Sequence, residues 1–538
     1  MISLFKLKTN TITSAAILVG SFSVLSRFVG FIRDRILAGA FGAGDTLDAY
    51  FAAFKIPDLL FQLIIVGALS ASFIPIFTKY YQKSGEEHHA WQFTNAVLNY
   101  IAIAFGLLVL VAIFFAGPLA VAIAPGFSPD KQLLVAEFSR YLFGAQFLLA
   151  LSMVFGSALQ SVKRFFLYSA APVLYNVGII FGILYLVPMC GPMGIAWGVM
   201  IGAGLHLALQ VIGVYAIGYR YHPTLRMRKE DARYLAVHLL PRVLSLGVGQ
   251  VNTIAMTVLA SSLAVGSVAI FQFALNLDYF TVGVIGVSYA IAVFPTLCEL
   301  SSHEQRDAFI ETISRTIRQM LLFLVPATIL FLLLRAQIVR VVLGAGVFDW
   351  EATINTANAL AFFVVSLFAQ SIVFVLVRAY FAKHDTWTPF TVGMLAAALN
   401  VVLGVLLAPM YGVVGLAISY SISSMVQMAL LWMPLRMRLG TLNEKHILTS
   451  LLKFSVAGLF AAIVTQVAKY WIVQYITLDT FFGVLGQALI AGCSGLLVYG
   501  IIALLLRSEE AVEFASSIRR RFLKKVKPTE TIVTELDT

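Results

Sequence analysis

The chain has few charged residues. Asp, Glu, Lys and Arg make up 12% of its 538 residues, against roughly 25% in an average soluble domain. This scarcity excludes a water-soluble enzyme, a disordered chain and an ordinary nucleic-acid-binding domain, although the formal net charge is +11. Cysteine is also scarce, and Cys190, Cys298 and Cys493 lie too far apart to predict a metal site or a disulfide framework.

Hydrophobic residues are abundant, at 60% of the chain. They form long continuous runs, which differ from the alternating pattern of a membrane β-barrel. The first run is too long for a cleaved signal peptide, so we predict that it stays in the membrane. We predict an all-α polytopic membrane protein with about fourteen transmembrane helices, at 12–38, 48–77, 93–118, 132–160, 166–187, 192–218, 241–264, 267–298, 317–342, 354–382, 388–409, 412–435, 447–474 and 481–506.

The basic residues indicate an orientation, because Lys and Arg accumulate in cytoplasmic loops. If the N-terminus is cytoplasmic, the outer loops contain only Lys131, Arg335 and Arg340, and nearly all other basic loop residues fall inside. An even number of spans then leaves both termini in the cytoplasm. The positive charge is therefore a topology signal, and it gives no support to nucleic-acid binding.

Two halves of the chain resemble each other. Motif residues recur 220 positions apart in Pro75 and Pro295, in Asp58 and Asp278, in Gly126 and Gly346, and in Lys163 and Lys383. Six spans separate the copies, so both copies cross the membrane in the same direction, as parallel repeats do. We predict an N-lobe with helices 1–6 at 1–222, a C-lobe with helices 7–12 at 223–440, helices 13–14 at 441–507 and a basic cytoplasmic tail at 508–538.

Ionisable residues concentrate in the first two spans, where they are costly and normally face the bundle interior or a wet cavity. Arginine presents a planar fork of donors that suits a diphosphate, so an anionic headgroup is a reasonable substrate. Pro57 is expected to break the second span beside the charges. The alternative is that the charges pair internally, for example Arg27 with Asp34, which lie seven positions apart on one helix face. The charged residues are Arg27, Arg33, Asp34, Arg35, Asp48, Lys55 and Asp58.

The matching spans of the second lobe are polar rather than charged. We predict interhelical hydrogen bonds for the amides Gln250, Asn252, Gln272 and Asn276. Asp278 is a stronger candidate for a functional role because it mirrors Asp58. His206 in the sixth span is expected to pack rather than to relay protons. No metal-ligand spacing or cofactor motif is present, and coupling to the membrane potential or to a monovalent cation stays open.

Several motifs resemble those of MurJ-type (MviN) lipid II flippases, in the multidrug/oligosaccharidyl-lipid/polysaccharide exporter superfamily. The resemblance covers nearly the whole chain and is most specific between residues 26 and 75. It is carried by Ser26-Arg-Phe-Val-Gly-Phe-Ile-Arg-Asp34, Asp48-Ala-Tyr-Phe-Ala-Ala-Phe-Lys-Ile-Pro57, Phe73-Ile-Pro75, Gly283-Val-Ile-Gly286, Gly344-Ala-Gly-Val-Phe348 and Lys383-His-Asp-Thr-Trp-Thr-Pro389.

The resemblance implies a transporter rather than an enzyme. It would move an undecaprenyl-linked peptidoglycan precursor from the inner to the outer leaflet of the bacterial inner (cytoplasmic) membrane by alternating access. The implied partners are this glycolipid, membrane lipids and cell-wall synthesis proteins, with no nucleic acid. Carried over by motif, Arg27, Arg33, Asp34, Asp48 and Lys55 occupy positions that the family uses in or beside its central cavity.

The chain also departs from the family pattern. Phe61 and Gln62 stand where the family has a pair of arginines, Val66 where it has an acidic residue and Asn276 where it has an arginine. The predicted cavity is thus less basic, which leaves a flippase for another polyprenyl-linked saccharide as the main alternative. A drug/cation antiporter and a non-transporting scaffold are further alternatives. The candidate substrate-binding residues are Arg27, Arg33, Asp34, Asp48, Lys55, Asp58, Asn276 and Asp278.

Overall fold

The computed structural model describes residues 12–66, 73–83 and 85–523. This part of the chain contains helices and no β-strand, which confirms the predicted all-α class. The predicted orientation places the basic residues near both termini in the cytoplasm. Of these, Lys6, Lys8, Lys524, Lys525 and Lys527 lie outside the described residues. The helices are α1 (Ile12–Phe41), α2 (Asp45–Ala53), α3 (Lys55–Leu60), α4 (Ile74–Gln82), α5 (Glu87–Phe114), α6 (Ala116–Ile123), α7 (Pro129–Ser161), α8 (Phe165–Phe181), α9 (Val187–Cys190), α10 (Met193–Tyr215), α11 (Lys229–Ser261), α12 (Ser267–Thr281), α13 (Ser288–Ser302), α14 (Arg306–Leu333), α15 (Arg335–Val342), α16 (Trp350–Val365), α17 (Leu367–Ala382), α18 (Trp387–Tyr411), α19 (Val413–Leu439), α20 (Glu444–Ile472), α21 (Phe481–Leu505) and α22 (Glu509–Leu523).

Many of these helices can cross a membrane. Within the described residues, 10 helical segments are long and apolar enough, among them Phe165–Cys190 and Ser267–Ser302, and the count is up to 11 if α16 and α17 form one span. The predicted number of fourteen therefore stays a prediction. The predicted spans missing from this set include the first two. The first carries Arg27, Arg33, Asp34 and Arg35, and the second is divided into short helices.

The helices form two compact units. The first unit comprises the described parts of Met1–Phe280 together with Ile338–Ser366 and Thr386–Ala429. The second comprises Thr281–Gln337, Leu367–Asp385 and the described parts of Leu430–Thr538. The lobe boundaries at 222 and 440 divide the chain differently and stay predictions. All eight candidate substrate-binding residues belong to the first unit.

The internal repeat is visible in the backbone. Left-handed conformations occur at Lys163 (φ 61) and His384 (φ 60), and at Gly191 (φ 62) and Gly412 (φ 58). Both pairs are 221 positions apart. π-helical segments at Phe61–Val66 and Val282–Val287 show the same offset, and a further one lies at Gly182–Leu186. Such conformations are uncommon, so their recurrence supports the duplication that the motifs indicate.

Small residues let α8 and α10 pack with their backbones in contact. A Cβ atom added at Gly178 would lie 2.3 Å from Gly202 Cα, and one at Gly182 would lie 2.4 Å from Gly198 Cα. Gly178 and Gly182 are four residues apart, and so are Gly198 and Gly202. The two glycines of each segment therefore lie on one face. This is the small-residue packing by which membrane helices approach each other closely.

A buried ion cluster joins three helices of the second unit. Arg318 on α14 is only 7% exposed, and it donates hydrogen bonds to Glu311 (2.9 Å), Glu509 (3.1 Å) and Glu510 (2.8 Å). Glu510 also accepts hydrogen bonds from Ser450 of α20 (3.0 Å) and from Ser508 (2.7 Å). The cluster fixes the beginning of α22 against α14 and α20.

Candidate functional site

Arg33 and Asp34 form an ion pair on α1. Arg33 Nη2 lies 2.7 Å and Nε 3.0 Å from Asp34 Oδ1, and the side chain of Asp34 is only 6% exposed. Arg33 Nη1 also donates to Asn176 Oδ1 on α8 at 2.9 Å. Asn176 in turn donates to the backbone oxygens of Ser26 (3.4 Å) and Pro172 (3.1 Å). The alternative pairing of Asp34 with Arg27 is therefore wrong.

The contacts continue from Asp34 to the second span. Asn276 Nδ2 donates to Asp34 Oδ2 at 3.4 Å, and Gln272 Nε2 donates to Asn276 Oδ1 at 2.9 Å. Lys55 Nζ then donates to Gln272 Oε1 at 2.8 Å. Gln272 and Asn276 are four residues apart on α12, so their side chains share a face. The structure thus brings four predicted site residues together in one polar network, made of Asn176, Arg33, Asp34, Asn276, Gln272 and Lys55.

The two cations of this polar network, Arg33 and Lys55, have different hydrogen-bond partners. Asp34 is the hydrogen-bonded counter-ion of Arg33, whereas Lys55 bonds to a neutral amide. Hydrogen bonds to charged groups contribute about 1.5–3 kcal/mol each, and they hold the donors in a defined geometry. The network therefore offers an anion one cation that is already neutralised and one that is not hydrogen-bonded to a carboxylate.

Arg27 lies one to two turns before Arg33 on α1 and is exposed. Its guanidinium carbon is 5.9 Å from the ring centroid of Phe280 at the end of α12. Among the described residues it forms no ion pair and no hydrogen bond to a side chain. Its donors are available to a ligand, as the sequence predicts for a diphosphate contact.

Asp58 and Asp278, the pair related by the repeat, have different surroundings. Asp58 Oδ1 accepts a hydrogen bond from Gln146 Nε2 of α7 at 2.6 Å and interacts electrostatically with Lys55. Asp278 is buried and interacts electrostatically with Tyr279 and with Tyr420 on α19. Asp58 lies beside the polar network, where α2 ends at Ala53 and α3 begins at Lys55. This break confirms the interruption that Pro57 predicts.

Asp48 lies apart from the polar network. Its carboxylate accepts hydrogen bonds from Lys131 Nζ (2.7 Å) and from the backbone N–H groups of Gly266 (2.7 Å) and Ala269 (2.9 Å). Lys131 also pairs with Asp45 at 2.7 Å. Asp48 thus satisfies orphan donors at the beginning of α12. These contacts favour a structural role, and a substrate contact at Asp48 stays a prediction.

Arg35 is also engaged by the protein. Its Nη1 donates to the carbonyl oxygens of Arg340 (3.2 Å) and Val341 (2.7 Å) at the end of α15. The carbonyl end of a helix carries partial negative charge, which a guanidinium stabilises. The charges of α1 therefore sort into a helix cap (Arg35), an ion pair (Arg33 and Asp34) and an available cation (Arg27).

Cysteines, histidines and carboxylates are the side chains that could serve as metal ligands. The described residues contain no group of three or more His, Cys, Asp or Glu side chains that could hold a metal ion. The three cysteines are free, and His206 forms a 2.7 Å hydrogen bond with Ser152 that fits a packing role. The charged donors of the polar network are the guanidinium of Arg33 and the ammonium of Lys55.

Comparison with known proteins assigns the chain to a family. The family described as "Lipid II flippase MurJ" matches residues 37–522. The chain belongs to the MurJ family. It is similar to the "Probable lipid II flippase MurJ" of Treponema pallidum (strain Nichols), with 28% identity over 533 residues that cover 95% of this chain and 99% of that protein. The MurJ family thus accounts for the membrane-spanning helices and for the sequence motifs.

Solved structures share the MurJ fold. The "Lipid II flippase MurJ, inward closed conformation" superposes with a TM-score of 0.73 and 24% identity, and covers 91% of this chain and 98% of that chain. An inward-facing multidrug resistance MATE family transporter of the MOP superfamily gives a TM-score of 0.68 at 14% identity, over 80% of this chain and 99% of that chain. These likenesses show that the all-helical fold is common to both groups.

Two residues of the polar network are absent from the predicted site. Asn176 is the single amide in a largely apolar helix, and its partner Arg33 is 143 positions away, so no local pattern indicates its role. Gln272 forms the interhelical hydrogen bond that the sequence predicts, and its position four residues before Asn276 could have suggested a shared site. Asn276, a predicted site residue, takes part in the network through Asp34 and Gln272.

Proposed function

We propose that the protein is a flippase that moves lipid II from the inner to the outer leaflet of the bacterial inner membrane by alternating access. Membership of the MurJ family is the observation that carries this proposal. The relatives named as lipid II flippases match nearly the full length of the chain. The basic loop residues support the predicted orientation, with both termini in the cytoplasm.

The charges of the first unit suggest how the substrate is held. Arg27 supplies a forked donor for the diphosphate, and Lys55 supplies a second positive charge. Arg33 is committed to Asp34 and Asn176, so it acts as a positioning residue that holds α1 against α8. A diphosphate that contacts Arg27 and Lys55 replaces water at these two groups without breaking the Arg33–Asp34 ion pair.

A second candidate substrate is another polyprenyl-linked saccharide. It is favoured by one specific observation, because Asn276 and Gln272 place two amides where a more basic cavity is expected for lipid II. Amides bind sugar hydroxyls as donors and acceptors. The diphosphate would then contact the same two cations, and the headgroup sugars would differ. A drug/cation antiporter has only the fold likeness in its favour.

The proposal includes no cofactor. Transport requires an energy source, for which the membrane potential and a monovalent cation are the two candidates. A membrane potential that is negative inside drives an anionic substrate toward the outside. The free energy gained is about 2.3 kcal/mol for each charge and each 100 mV. Flipping rates measured in vesicles at imposed potentials, with and without a sodium gradient, distinguish the two.

Rescue of cells that are depleted of their own lipid II flippase tests the function. We expect the wild-type chain to restore growth and cell shape. Arg27→Ala should fail at normal membrane abundance, whereas Arg226→Ala, which removes an exposed loop arginine, should rescue as the wild type does. Failure of the wild-type chain in spite of normal abundance would favour a different lipid-linked saccharide.

A further inference from the structure

A cavity of about 390 Å³ lies in the first unit, away from the polar network. Three chain segments line it: the end of α4, the link between α7 and α8, and the residues after α10. These segments follow the second, fourth and sixth predicted spans, so they lie on the same predicted side of the membrane. The lining residues are Tyr81, Gln82, Ser161, Val162, Lys163, Arg164, Ala216 and Ile217.

Arg164 gives this cavity its chemical character. Its Nη1 atom is buried and has no hydrogen-bond partner within the described part of the chain. A buried donor without an acceptor lowers the stability of the folded state by about 1–3 kcal/mol, and by more when it is charged. Binding of an anion at this atom would remove that cost. Arg164 also precedes the first residue of α8, where no side chain caps the helix. The positive end of a helix dipole adds to the attraction for an anion.

Other lining residues provide further donors. Lys163 adds a second positive charge, and Gln82 and Ser161 can donate hydrogen bonds. Burial and the nearby Glu87 raise the pKa of the Tyr81 phenol above its ordinary value, against the opposing effect of Arg164. Tyr81 therefore keeps its proton at neutral pH and remains a donor.

The second copy of the repeat shows how such a position is neutralised. Arg164 N donates to Leu159 O at 2.8 Å, and Asp385 N donates to Tyr380 O at 3.0 Å, so Asp385 is the counterpart of Arg164 at an offset of 221. Asp385 forms a 2.6 Å ion pair with Arg438. Gly218 (φ 96) and Gly440 (φ 76) are a further matching pair of glycines with positive φ. Ala216 and Arg438 each lie two residues before these glycines, so Ala216 is the counterpart of Arg438. The second copy thus has an internal ion pair at the two positions where the first copy has Arg164 and Ala216 beside a cavity.

We propose that this cavity is a binding site for a phosphate-bearing anion, with Arg164 as its main ligand. The anion pairs with Arg164, as the carboxylate of Asp385 pairs with Arg438 in the second copy. Its phosphate is either that of an anionic phospholipid headgroup or a free inorganic phosphate. Basic sites at the cytoplasmic ends of membrane helices recognise lipid headgroups through this chemistry.

Thermal unfolding of the purified full-length chain in neutral detergent tests the proposal. The probes are short-chain phosphatidylglycerol, short-chain phosphatidylcholine and inorganic phosphate. We expect saturable stabilisation by phosphatidylglycerol but not by phosphatidylcholine, and Arg164→Gln should weaken it by about tenfold or more. Lys229→Gln, which removes an exposed charge outside the cavity, should bind as the wild type does.

A second variant guards against loss of fold. Ala216→Asp places a carboxylate in the cavity beside Arg164, as Asp385 lies beside Arg438, so it should abolish binding while the protein stays folded. Stabilisation by phosphatidylglycerol alone identifies a headgroup site, and stabilisation by phosphate as well identifies a free-phosphate site. The proposal is overturned if neither phosphate probe stabilises the wild type more than phosphatidylcholine does. It is also overturned if Arg164→Gln and Ala216→Asp bind as Lys229→Gln does.

Discussion

Arg27 and Arg33 stand on the same helix but have different surroundings. Arg27 is exposed, with Phe280 as its aromatic neighbour, whereas Arg33 is engaged by Asp34 and Asn176. We predict that Arg27→Ala reduces flipping by about tenfold or more at unchanged membrane abundance, because the variant loses forked, charged hydrogen bonds to the substrate. Arg27→Lys keeps the positive charge but loses the forked donors. Its flipping rate should therefore lie between those of the wild type and Arg27→Ala.

The measurement is the flipping rate of a labelled lipid-linked precursor, normalised to the amount of protein in the membrane. A wild-type rate in Arg27→Ala would show that this guanidinium does not contact the substrate. Lys55 would then be the remaining cation for the headgroup.

Removal of Arg33 should act on stability instead. Arg33→Ala leaves the buried Asp34 without its ion-pair partner, and the loss of one member of a buried pair costs about 3–5 kcal/mol. We predict low membrane abundance for this variant, measured by quantitative immunoblotting. The double variant Arg33→Ala with Asp34→Asn should recover much of the abundance, because no unpaired carboxylate remains. Normal abundance of the single variant would contradict this role.

The sequence could predict which residues of α1 matter but not how they pair. Arg27 and Asp34 share a face by spacing, whereas Arg33 and Asp34 are adjacent and so are not expected to face each other on a helix. The flexible guanidinium of Arg33 nevertheless turns back to Asp34, and Asn176 from α8 holds it there. Such a partner 143 positions away leaves no local trace in the sequence.

Contact between the backbones of α8 and α10 gives an element-level prediction. A side chain at Gly198 would meet Gly182 Cα at 2.7 Å, whereas nothing lies within 4 Å of a Cβ atom at Gly204 on the same helix. We predict that Gly198→Leu strongly lowers both the thermal unfolding temperature and the membrane abundance. The added side chain would collide with the backbone at Gly182, which cannot move aside as a flexible side chain can. Gly204→Leu is the matched control and should behave as the wild type. Equal behaviour of the two variants would contradict the close packing.

The attachment of α22 should depend on pH. Burial would raise the pKa of Glu510, but hydrogen bonds from Ser508 and Ser450 and the charge of Arg318 outweigh it and hold the pKa below the ordinary 4.5. The stabilisation is therefore present above pH 4.5 and is lost as the pH falls through the lower pKa of the folded state. We predict faster hydrogen exchange of the amides of α22 at about pH 3 than at about pH 7, after correction for intrinsic rates.

Two variants control the pH experiment. Glu510→Gln should show weak protection of α22 at both pH values, because its charge is already absent. Glu513 is about half exposed and pairs with Arg315, and exposed pairs contribute about 0–1 kcal/mol. Glu513→Gln should therefore keep the wild-type pH dependence. The assignment fails if Glu510→Gln retains it as well.

Local sequence signals predict some elements well and others poorly. Pro57 between charged residues predicts the break between α2 and α3, because proline removes a helix hydrogen bond. The contacts of Asp48 could not be predicted from local sequence. Its partners, Lys131 and the backbone at Gly266 and Ala269, come from distant segments. A carboxylate in a predicted span therefore does not by itself distinguish a helix cap from a binding residue.

At the scale of the whole molecule, the repeat is the most informative sequence feature. Motifs 220 positions apart predict duplication, and the paired left-handed residues at Lys163 and His384 agree with it. The sequence alone could not show where the copies differ in function. The polar network gathers residues from α1, α3, α8 and α12, and Asp278 interacts electrostatically with Tyr420 of α19.

The central claim is that the protein moves lipid II across a bilayer. The most direct measurement uses purified protein in vesicles that contain fluorescent lipid II, with a second set that contains another polyprenyl-linked saccharide. Accessibility of the headgroup to an added quencher reports its transfer between leaflets. The account predicts transfer of lipid II that depends on the protein, is faster than that of the other saccharide and is lost in Arg27→Ala. Lipid II that stays in its leaflet while the other saccharide moves would contradict the proposed substrate, and no transfer of either would contradict a flippase.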